Sequence, residues 1–293
     1  MTTGTGTGTG KVALITGGAS GFGAEVARQL VRRGDRVILL DIDDAAGQAV
    51  ADQLGGTFLH CDVSCFDEVA ATTAQAEQVH GGVDLFFLNA GVTTGCDLGP
   101  GFDPVSYRRA MGVNVDGVVY GVHAALPVLA RRGGGAIVAT ASMAGLTGVP
   151  FDPVYCAGKH AVVGLVRALG PALAPRGITV NAFCPGFAET KIITEIRAQL
   201  DDSGVPIIPV EDAGAAVLQA FDSGESGQAW LLLAGRDVLI YRFRGIPGPL
   251  AGAGERANPQ GPTGMPPSPP SPPSPPSTQR AARESRDNSP PLA

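Results

Sequence analysis

Tyr155 and Lys159 lie four residues apart in a segment with helical periodicity, and Ser142 precedes the tyrosine by thirteen residues. Positions i and i+4 share one face of a helix, so the ammonium of Lys159 is expected near the phenol of Tyr155. A phenol with a reference pKa of about 10 is a poor base at neutral pH, and a neighbouring positive charge favours its ionised form. These residue types at this spacing predict proton exchange with a hydroxyl or carbonyl oxygen, as the interconversion of alcohols and ketones requires.

A glycine-rich loop follows the first apolar run of the chain. Residues 16–23 read Thr-Gly-Gly-Ala-Ser-Gly-Phe-Gly and lead into a segment of helical period. Glycines let a backbone approach a diphosphate closely, and the N-terminus of the following helix favours negative charge. Glycine-rich turns also occur for geometric reasons alone, so this loop needs support from other positions. Within it we expect five residues to contact a dinucleotide: Gly17, Ser20, Gly21, Phe22 and Gly23.

Asp41 provides that support, because it ends the second apolar run eighteen residues beyond Gly23. A carboxylate at this place can accept hydrogen bonds from the ribose diol of an adenosine, and it would repel a 2′-phosphate. No Arg or Lys occupies Gly18, Ala19 or Ile42. The sequence therefore favours NAD over NADP as the cofactor.

The elements that must position these residues alternate along the chain. Short, continuously apolar runs are typical of strands covered on both faces, and the segments between them have a helical period. The predicted strands are 11–16, 37–41, 57–61, 85–89, 136–141, 178–184 and 230–233, and the predicted helices are 23–33, 43–53, 66–79, 103–131, 154–173 and 211–221. This order predicts an α/β protein with a three-layer, doubly wound Rossmann fold and a seven-stranded parallel sheet.

Composition excludes several other classes. The 293 residues are 44% hydrophobic and carry a net charge of −6, which argues against nucleic acid and anionic membranes as partners. The most apolar stretch, 115–130, is interrupted by Asp116, His123 and Pro127, so no transmembrane helix is expected. Five scattered cysteines and a start without a secretory pattern favour a reducing, cytoplasmic location.

Cys61 and Cys65, next to His60, could suggest a metal site. A zinc site needs about four ligands at recognised spacings, and those spacings are missing from the sequence around these residues. Packing or surface roles are therefore the favoured interpretation, and we expect no metal.

The two ends of the chain differ in composition from the middle. Residues 1–10 repeat Thr-Gly and predict a flexible leader, and residues 247–293 are rich in Pro, Gly, Ser and Arg. Proline fixes φ and removes a donor, so this tail is expected to be disordered or polyproline II. A docking segment for SH3-like or WW-like modules is the alternative interpretation of the tail. Residues 11–246 between these ends are predicted to form a single Rossmann-fold domain.

In its motifs and their order, the chain from residue 11 to 239 resembles the short-chain dehydrogenase/reductase family. The matching motifs are residues 16–23, Asn89-Ala90-Gly91, Asn114, Ser142, Tyr155-x-x-x-Lys159 and Pro185-Gly186. Within that family, the wording of residues 153–160 and 181–187 is most similar to NAD-dependent 15-hydroxyprostaglandin dehydrogenase-like members.

The resemblance implies a role for each matching residue. Ser142 would hydrogen-bond the substrate oxygen, and Tyr155 would exchange its proton. Lys159 would lower the pKa of Tyr155 and touch the nicotinamide ribose, and Asn114 would hold a water that continues the proton path. Further cofactor contacts are implied for Asp62, Val63, Asn89, Ala90, Gly91, Pro185, Gly186, Phe187, Ala188 and Thr190. For Asp62, capping of the helix that follows is the alternative.

Two positions depart from the family pattern. Leu88 stands where a second asparagine is common, so one buried hydrogen bond is expected to be missing or replaced, and Phe22 stands where a smaller aliphatic residue is common. Neither departure removes a catalytic group.

The expected substrate pocket is mostly apolar, which favours a lipophilic secondary alcohol or ketone. Its predicted lining is 92–94, 143–146, 149–151, Phe187, Ile192, Ile193 and Ile196, and residues 191–210 are predicted to form a lid. The resemblance also implies a homodimer or homotetramer that assembles through the helices near 103–131 and 154–173. An NAD-binding regulatory or scaffold protein with a partner-recruiting tail is the alternative function, which the complete set of proton-transfer residues disfavours.

Overall fold

The computed structural model describes residues 10–95, 98–194 and 196–245. Eight strands of this part of the chain form one sheet in the order β3-β2-β1-β4-β5-β6-β7-β8. The strands are β1 (Val12–Thr16), β2 (Arg36–Asp41), β3 (Thr57–His60), β4 (Leu85–Leu88), β5 (Gly135–Thr140), β6 (Ile178–Pro185), β7 (Ala229–Leu232) and β8 (Leu239–Ile240). Strands β1 to β7 pair in parallel, which confirms the predicted Rossmann architecture.

Helices cover both faces of the sheet. They are α1 (Gly21–Arg33), α2 (Asp44–Leu54), α3 (Phe66–His80), α4 (Pro104–Met111), α5 (Gly117–Arg132), α6 (Pro153–Leu173), α7 (Arg197–Asp202) and α8 (Val210–Asp222). Helices α1 and α8 pack against each other, as do α3 and α5. The central strands β1 and β4 are buried along their whole length, because a helical layer lies on each side of them.

An eighth strand was not expected from the sequence. β8 pairs antiparallel with β7 through Trp230 with Ile240 and Leu231 with Leu239. Two residues are too few to give a recognisable strand pattern, so the sequence offered no signal for it.

One long helical segment runs from Pro104 to Arg132 and includes α4, a π-helical turn (Gly112–Asp116) and α5. Its length, and a mean hydropathy of 1.4 over one 18-residue window, would suit a membrane span. The sequence predicted no span here, because Asp116, His123 and Pro127 interrupt the apolar run, but these residues do not interrupt the helix. Gly121 and Ala125 of this helix are buried, and α5 packs on β4, β5 and α3. We therefore interpret it as a core helix of the fold.

The described residues up to Arg242 form one compact unit, which contains the whole sheet. The predicted tail (247–293) and all but the last residue of the predicted leader (1–10) lie outside the described residues, so both predictions remain untested.

Candidate active site

The four predicted catalytic residues come from three neighbouring elements. Ser142 follows the carboxyl end of β5, Asn114 lies in the π-helical turn, and Tyr155 and Lys159 lie near the start of α6. The carboxyl ends of the parallel strands are where ligands bind in open α/β sheets. The fold therefore brings all four to the edge of the sheet where a ligand site is expected.

The start of α6 orients the tyrosine and the lysine. Pro153 occupies the beginning of the helix, where its missing N–H and fixed φ are favourable. The side chain of Asp152 caps the helix by accepting a hydrogen bond from the backbone N–H of Tyr155 at 2.9 Å. Because the helix is established from its first turn, Tyr155 and Lys159 face the same side.

Tyr155, Lys159 and Ser142 lie close together. The Nζ of Lys159 is 5.5 Å from the centre of the Tyr155 ring and donates a hydrogen bond to the carbonyl of Thr140 at 2.9 Å. The side chain of Ser142 lies close enough to the Tyr155 phenol to lower its pKa, and the Ser142 Oγ accepts a hydrogen bond from the N–H of Ala144 at 3.1 Å. The phenol is thus held between a hydroxyl and an ammonium.

Burial dominates the titration of the tyrosine. It raises the pKa of Tyr155 to about 12, and the hydrogen bond from Ser142 acts in the opposite direction. The negative charges of Asp152 and Cys184 raise the same pKa further. The lower tyrosine pKa that the sequence comparison implied is therefore not seen in this structure, and the acidifying role of Lys159 remains a prediction.

Lys159 is also buried, and burial disfavours its charged form. Only 2% of this residue is exposed, and burial lowers the pKa of its ammonium to about 8. The buried thiol of Cys184 lies close enough to interact with Lys159, and burial raises the pKa of that thiol to about 12. The environment without a ligand thus disfavours the charged forms of all three side chains.

Asn114 is fixed by the backbone of one neighbouring residue. Its Oδ1 accepts a hydrogen bond from the N–H of Val92 at 3.0 Å, and its Nδ2 donates to the carbonyl of Val92 at 2.8 Å. A Cβ added at Gly91 would lie 3.2 Å from the Asn114 Oδ1, so these two residues are in close contact. The side chain of Asn114 therefore ties the π-helical turn to the loop after β4.

The glycine-rich loop is held against the loop after β4. Gly17 has a φ of +65°, and a Cβ there would lie 3.0 Å from the Cα of Ala90. A Cβ at Gly23 would lie 2.1 Å from the carbonyl oxygen of Gly17, so only glycine fits. The Nδ2 of Asn89 donates to the carbonyls of Thr16 and Gly17, which fixes the turn.

Asp41 braces the same loop from β2. Its Oδ2 accepts a hydrogen bond from the N–H of Ala19 at 3.0 Å, and its Oδ1 accepts one from the N–H of Asp43 at 3.1 Å. Each carboxylate oxygen keeps a further lone pair for a ligand. Asp41 can therefore position the loop and still accept hydrogen bonds from a ribose.

Asp62 stabilises the turn before α3 but does not cap that helix, which was the alternative interpretation of this residue. Its Oδ1 accepts hydrogen bonds from the N–H of Ser64 at 2.9 Å and from the Ser64 hydroxyl at 2.7 Å, which stabilises the turn before α3. The helix itself begins after Cys65, and Asp62 is not its N-cap. Asp62 and Val63 also line the large cavity described next.

One cavity of about 700 Å³ runs along these residues. A volume of this size suits a ligand with several rings. Its glycine-lined floor, the Asp41 carboxylate and the nearby helix start fit a dinucleotide. The predicted site residues that line it are Gly17, Ser20, Gly21, Phe22, Asp41, Asp62, Val63, Asn89, Ala90, Gly91, Ser142, Tyr155, Lys159, Pro185, Gly186, Phe187, Ala188 and Thr190.

Two predicted site residues do not line the cavity. Gly23 lies behind the carbonyl of Gly17, and Asn114 lies behind Gly91 and Val92. Both act through the backbone that they support. Lining residues that the sequence did not single out include Asp43, Arg109, Val113, Thr140 and Lys191. Val113 could have been predicted from the sequence because it precedes Asn114, a motif residue. Arg109 belongs to no motif, so the sequence gives no indication that it lines the cavity.

The end of the cavity near Tyr155 is largely apolar, as predicted. Phe151 is 71% exposed and Ile192 is 39% exposed, so both present apolar surface to solvent. The predicted lining residues found there are Val92, Thr93, Met143, Ala144, Val149, Phe151, Phe187, Ile192, Ile193 and Ile196. Thr94, Gly145, Leu146 and Pro150 were predicted to line the cavity, but they do not.

The departures from the family pattern are accommodated by packing. Leu88 is buried, and a Cβ at Gly121 would lie 2.5 Å from its Cδ2, so an apolar contact with α5 replaces a polar one. The Phe22 ring packs edge-on against Phe183 with 5.6 Å between ring centres.

Cys61, which the sequence raised as a possible metal ligand, packs in the protein instead. The Sγ of Cys61 accepts a hydrogen bond from Thr72. Among the described residues, no three His, Cys, Asp or Glu side chains form a group that could hold a metal ion.

Comparison with known proteins gives consistent matches. The family model described as short chain dehydrogenase matches residues 11–201. The oxidoreductase UcpA of Salmonella typhimurium is 36% identical over 235 residues, which cover 77% of this chain and 88% of that protein.

Two further matches extend the comparison. The sex determination protein tasselseed-2 of Zea mays is 39% identical over 66% of this chain, and the match spans 60% of that protein, less than two thirds of its length. The crystal structure of 3-ketoacyl-(acyl-carrier-protein) reductase from Brucella melitensis complexed with NADH has a TM-score of 0.72 and 30% identity. That likeness covers 78% of this chain and 98% of that one.

Proposed function

The chain belongs to the short-chain dehydrogenase family of oxidoreductases, and from that premise we propose that it interconverts a lipophilic secondary alcohol and its ketone with NAD(H). The observation that carries the proposal is that Ser142, Tyr155 and Lys159 line one cavity that continues to the glycine-rich loop, with the Lys159 Nζ beside the Tyr155 ring. When bound, a nicotinamide supplies the carbon that accepts or gives the hydride.

The residues of the chain divide the remaining work. Ser142 hydrogen-bonds the substrate oxygen and so positions the carbinol against the phenol. Tyr155 takes the hydroxyl proton at its Oη during oxidation and returns it during reduction. Lys159, held by the carbonyl of Thr140 at 2.9 Å, keeps an ammonium near the phenolate. Asn114 orients the loop at Val92. Its proposed part in the proton path is to help hold a water through which the proton leaves.

Family members bind nicotinamide cofactors, and we propose NAD for this chain. Gly17, Ser20, Gly21 and Phe22 would hold the diphosphate, and Asp41 would accept hydrogen bonds from the adenosine ribose. Asp62, Val63 and the Asn89–Gly91 segment would flank the adenosine. The carboxamide would meet the segment from Pro185 to Thr190. The Brucella melitensis reductase was solved in complex with NADH, so a protein of similar fold binds the cofactor that we propose here.

A lipophilic substrate is supported by the apolar end of the cavity. Side chains such as Met143, Val149, Phe151 and Ile192 surround the reacting groups and offer few hydrogen bonds. Apolar walls bind apolar substrates because water leaves both surfaces. The sequence around Tyr155 resembles that of 15-hydroxyprostaglandin dehydrogenase-like members. We use this resemblance only to propose the approximate size of the substrate.

We further propose that the protein acts in the cytoplasm on a small molecule, without nucleic acid or membrane, and assembles as a homodimer or homotetramer. Assembly would use the helices near 103–131 and 154–173. Exposed apolar side chains such as Val105 and Val119 on this helical segment support a covered face.

The function is tested by a panel of hydrophobic secondary alcohols with NAD, followed by NADH fluorescence. Tyr155→Phe removes the proton-accepting oxygen and should lower turnover at least ~100-fold while cofactor affinity is kept. Tyr120→Phe is the matched control, because this tyrosine packs against Phe66 outside the cavity. Undiminished turnover in Tyr155→Phe would remove the tyrosine from the mechanism.

A further inference from the structure

Asp152 places a carboxylate in the otherwise apolar end of the cavity. It lines the same space as Tyr155 and Ser142, next to Phe151 and Val149. Its Oδ1 accepts a hydrogen bond from the backbone N–H of Tyr155 at 2.9 Å, and its charge raises the pKa of the Tyr155 phenol. A negative charge at this place opposes ionisation of the phenol, so the carboxylate does not serve to activate the tyrosine.

The two oxygens of this carboxylate have different surroundings. Oδ1 accepts hydrogen bonds from the N–H of Tyr155 at 2.9 Å and from the hydroxyl of Thr94. Within the described part of the chain, Oδ2 accepts no hydrogen bond and Asp152 forms no ion pair. The two donors to Oδ1 fix the rotation of the carboxylate and hence the place of Oδ2.

A ligand that fills this end of the cavity must displace the water that solvates Oδ2. An apolar ligand returns no hydrogen bond and leaves a charged acceptor unsatisfied, which is unfavourable. A site with such an acceptor rejects substrates that lack the matching donor. The carboxylate also repels a ligand with its own negative charge nearby.

We propose that Oδ2 of Asp152 is a subsite for a second hydroxyl, so that the substrate is a lipophilic secondary alcohol with another hydroxyl group. This inference rests on the proposed function, because it concerns the same cavity. Asp152 is then a specificity-determining residue, and Thr94 holds it in place. Alcohols with a carboxylate at the corresponding position are poor ligands.

The variant Asp152→Asn separates the subsite from the helix cap. Asn caps helices about as well as Asp and keeps an oxygen for the donors from Tyr155 and Thr94. The atom at the Oδ2 position becomes an amide nitrogen, which donates and cannot accept. Asp103→Asn is the matched control, because Asp103 caps α4 and does not line the cavity.

The test measures binding by calorimetry for the full chain, both alone and with NADH, which does not react with alcohols. The ligands are cyclohexanol and a set of cyclohexanediols that differ in the position of the second hydroxyl. For the unchanged protein and Asp103→Asn, we expect the best diol to bind at least about tenfold more tightly than cyclohexanol. In Asp152→Asn this ratio should fall at least about threefold, because the second hydroxyl can then only accept a weaker hydrogen bond from a neutral amide. An equal ratio in all three proteins, or no preference for any diol, overturns the subsite.

Turnover of the same ligands with NAD tests the proposed function separately. If cyclohexanol and the diols are oxidised equally well by the unchanged protein, the oxidoreductase proposal stands and the subsite fails. If no alcohol is oxidised but the diol preference depends on Asp152, the subsite stands and the proposed reaction fails.

Discussion

At the scale of single residues, the fold buries Tyr155 and Lys159 in surroundings that disfavour the charged form of each. Burial raises the pKa of Tyr155 to about 12 and lowers that of Lys159 to about 8. Only one protein acceptor, the carbonyl of Thr140, hydrogen-bonds the lysine among the described residues. The site therefore stores an electrostatic penalty that a ligand with compensating charge or donors can relieve.

The lysine makes stability depend on pH in a defined window. The unfolded chain binds the Lys159 proton up to a pKa of about 10.5, and the folded chain releases it near 8. Stability relative to Lys159→Met should therefore rise with pH by up to about 1.4 kcal/mol per unit between these values, and stay constant below them. Chemical denaturation of both proteins from about pH 7 to about pH 10 measures it. Parallel curves across this range would contradict the burial of a charged lysine.

Asp41 should govern the choice of cofactor. Its carboxylate accepts hydrogen bonds from a ribose diol and repels a 2′-phosphate, so NAD should bind at least about tenfold more tightly than NADP. Asp41→Asn should narrow that difference, whereas Asp52→Asn on the exposed face of α2 should not. Calorimetric titration with both cofactors decides the matter, and equal affinities in the unchanged protein would refute the assignment.

At the scale of elements, the glycine-rich loop depends on contact with the loop after β4. Gly17→Ala places a Cβ 3.0 Å from the Cα of Ala90 at a φ of +65°. Gly55 has a similar φ of +63° and open space around it, so Gly55→Ala carries the strain of the left-handed conformation alone. Both variants should lose about 1 kcal/mol of stability, and Gly17→Ala about 1–3 kcal/mol more together with cofactor affinity. Equal losses in thermal unfolding would show that the contact tolerates a methyl group.

The sequence predicted the elements that have a strong period and missed the irregular ones. The seven parallel strands begin and end within one residue of their predicted limits, because each is a continuous apolar run between helices. The π-helical turn has no pattern of its own within a continuous helix. The segment predicted as a lid (191–210) contains a short 3-10 turn (Lys191–Ile193) and α7, neither of which the sequence pattern delimited. Contacts between distant segments, such as Thr94 with Asp152, decide these details.

At the scale of the whole molecule, the sheet occupies only the part of the chain before the proline-rich stretch. All eight strands lie before Arg242, and the proline-rich stretch lies after it. The predicted domain boundary near residue 246 follows from composition. No sequence motif encodes the charge and shape complementarity between copies of the chain. The sequence therefore does not decide between a homodimer and a homotetramer.

Removal of residues 247–293 tests this boundary. The segment has no pattern that could form a core, so its deletion should leave the melting temperature within about 2 °C and the cofactor affinity within about twofold. Calorimetry and thermal unfolding of the full and shortened chains provide the comparison. A large loss of stability would assign the tail to the folded domain.

The strand order also matters while the protein is being made. β1 lies between β2 and β4, and its partner Leu85–Leu88 follows some seventy residues later in the chain. A ribosome adds about 5–20 residues per second, so one edge of this fully buried strand stays unpaired for several seconds in the nascent polypeptide. Open edges of this kind recruit other strands. Correct folding during synthesis therefore requires that this edge of β1 does not pair with strands of other chains before β4 has been made.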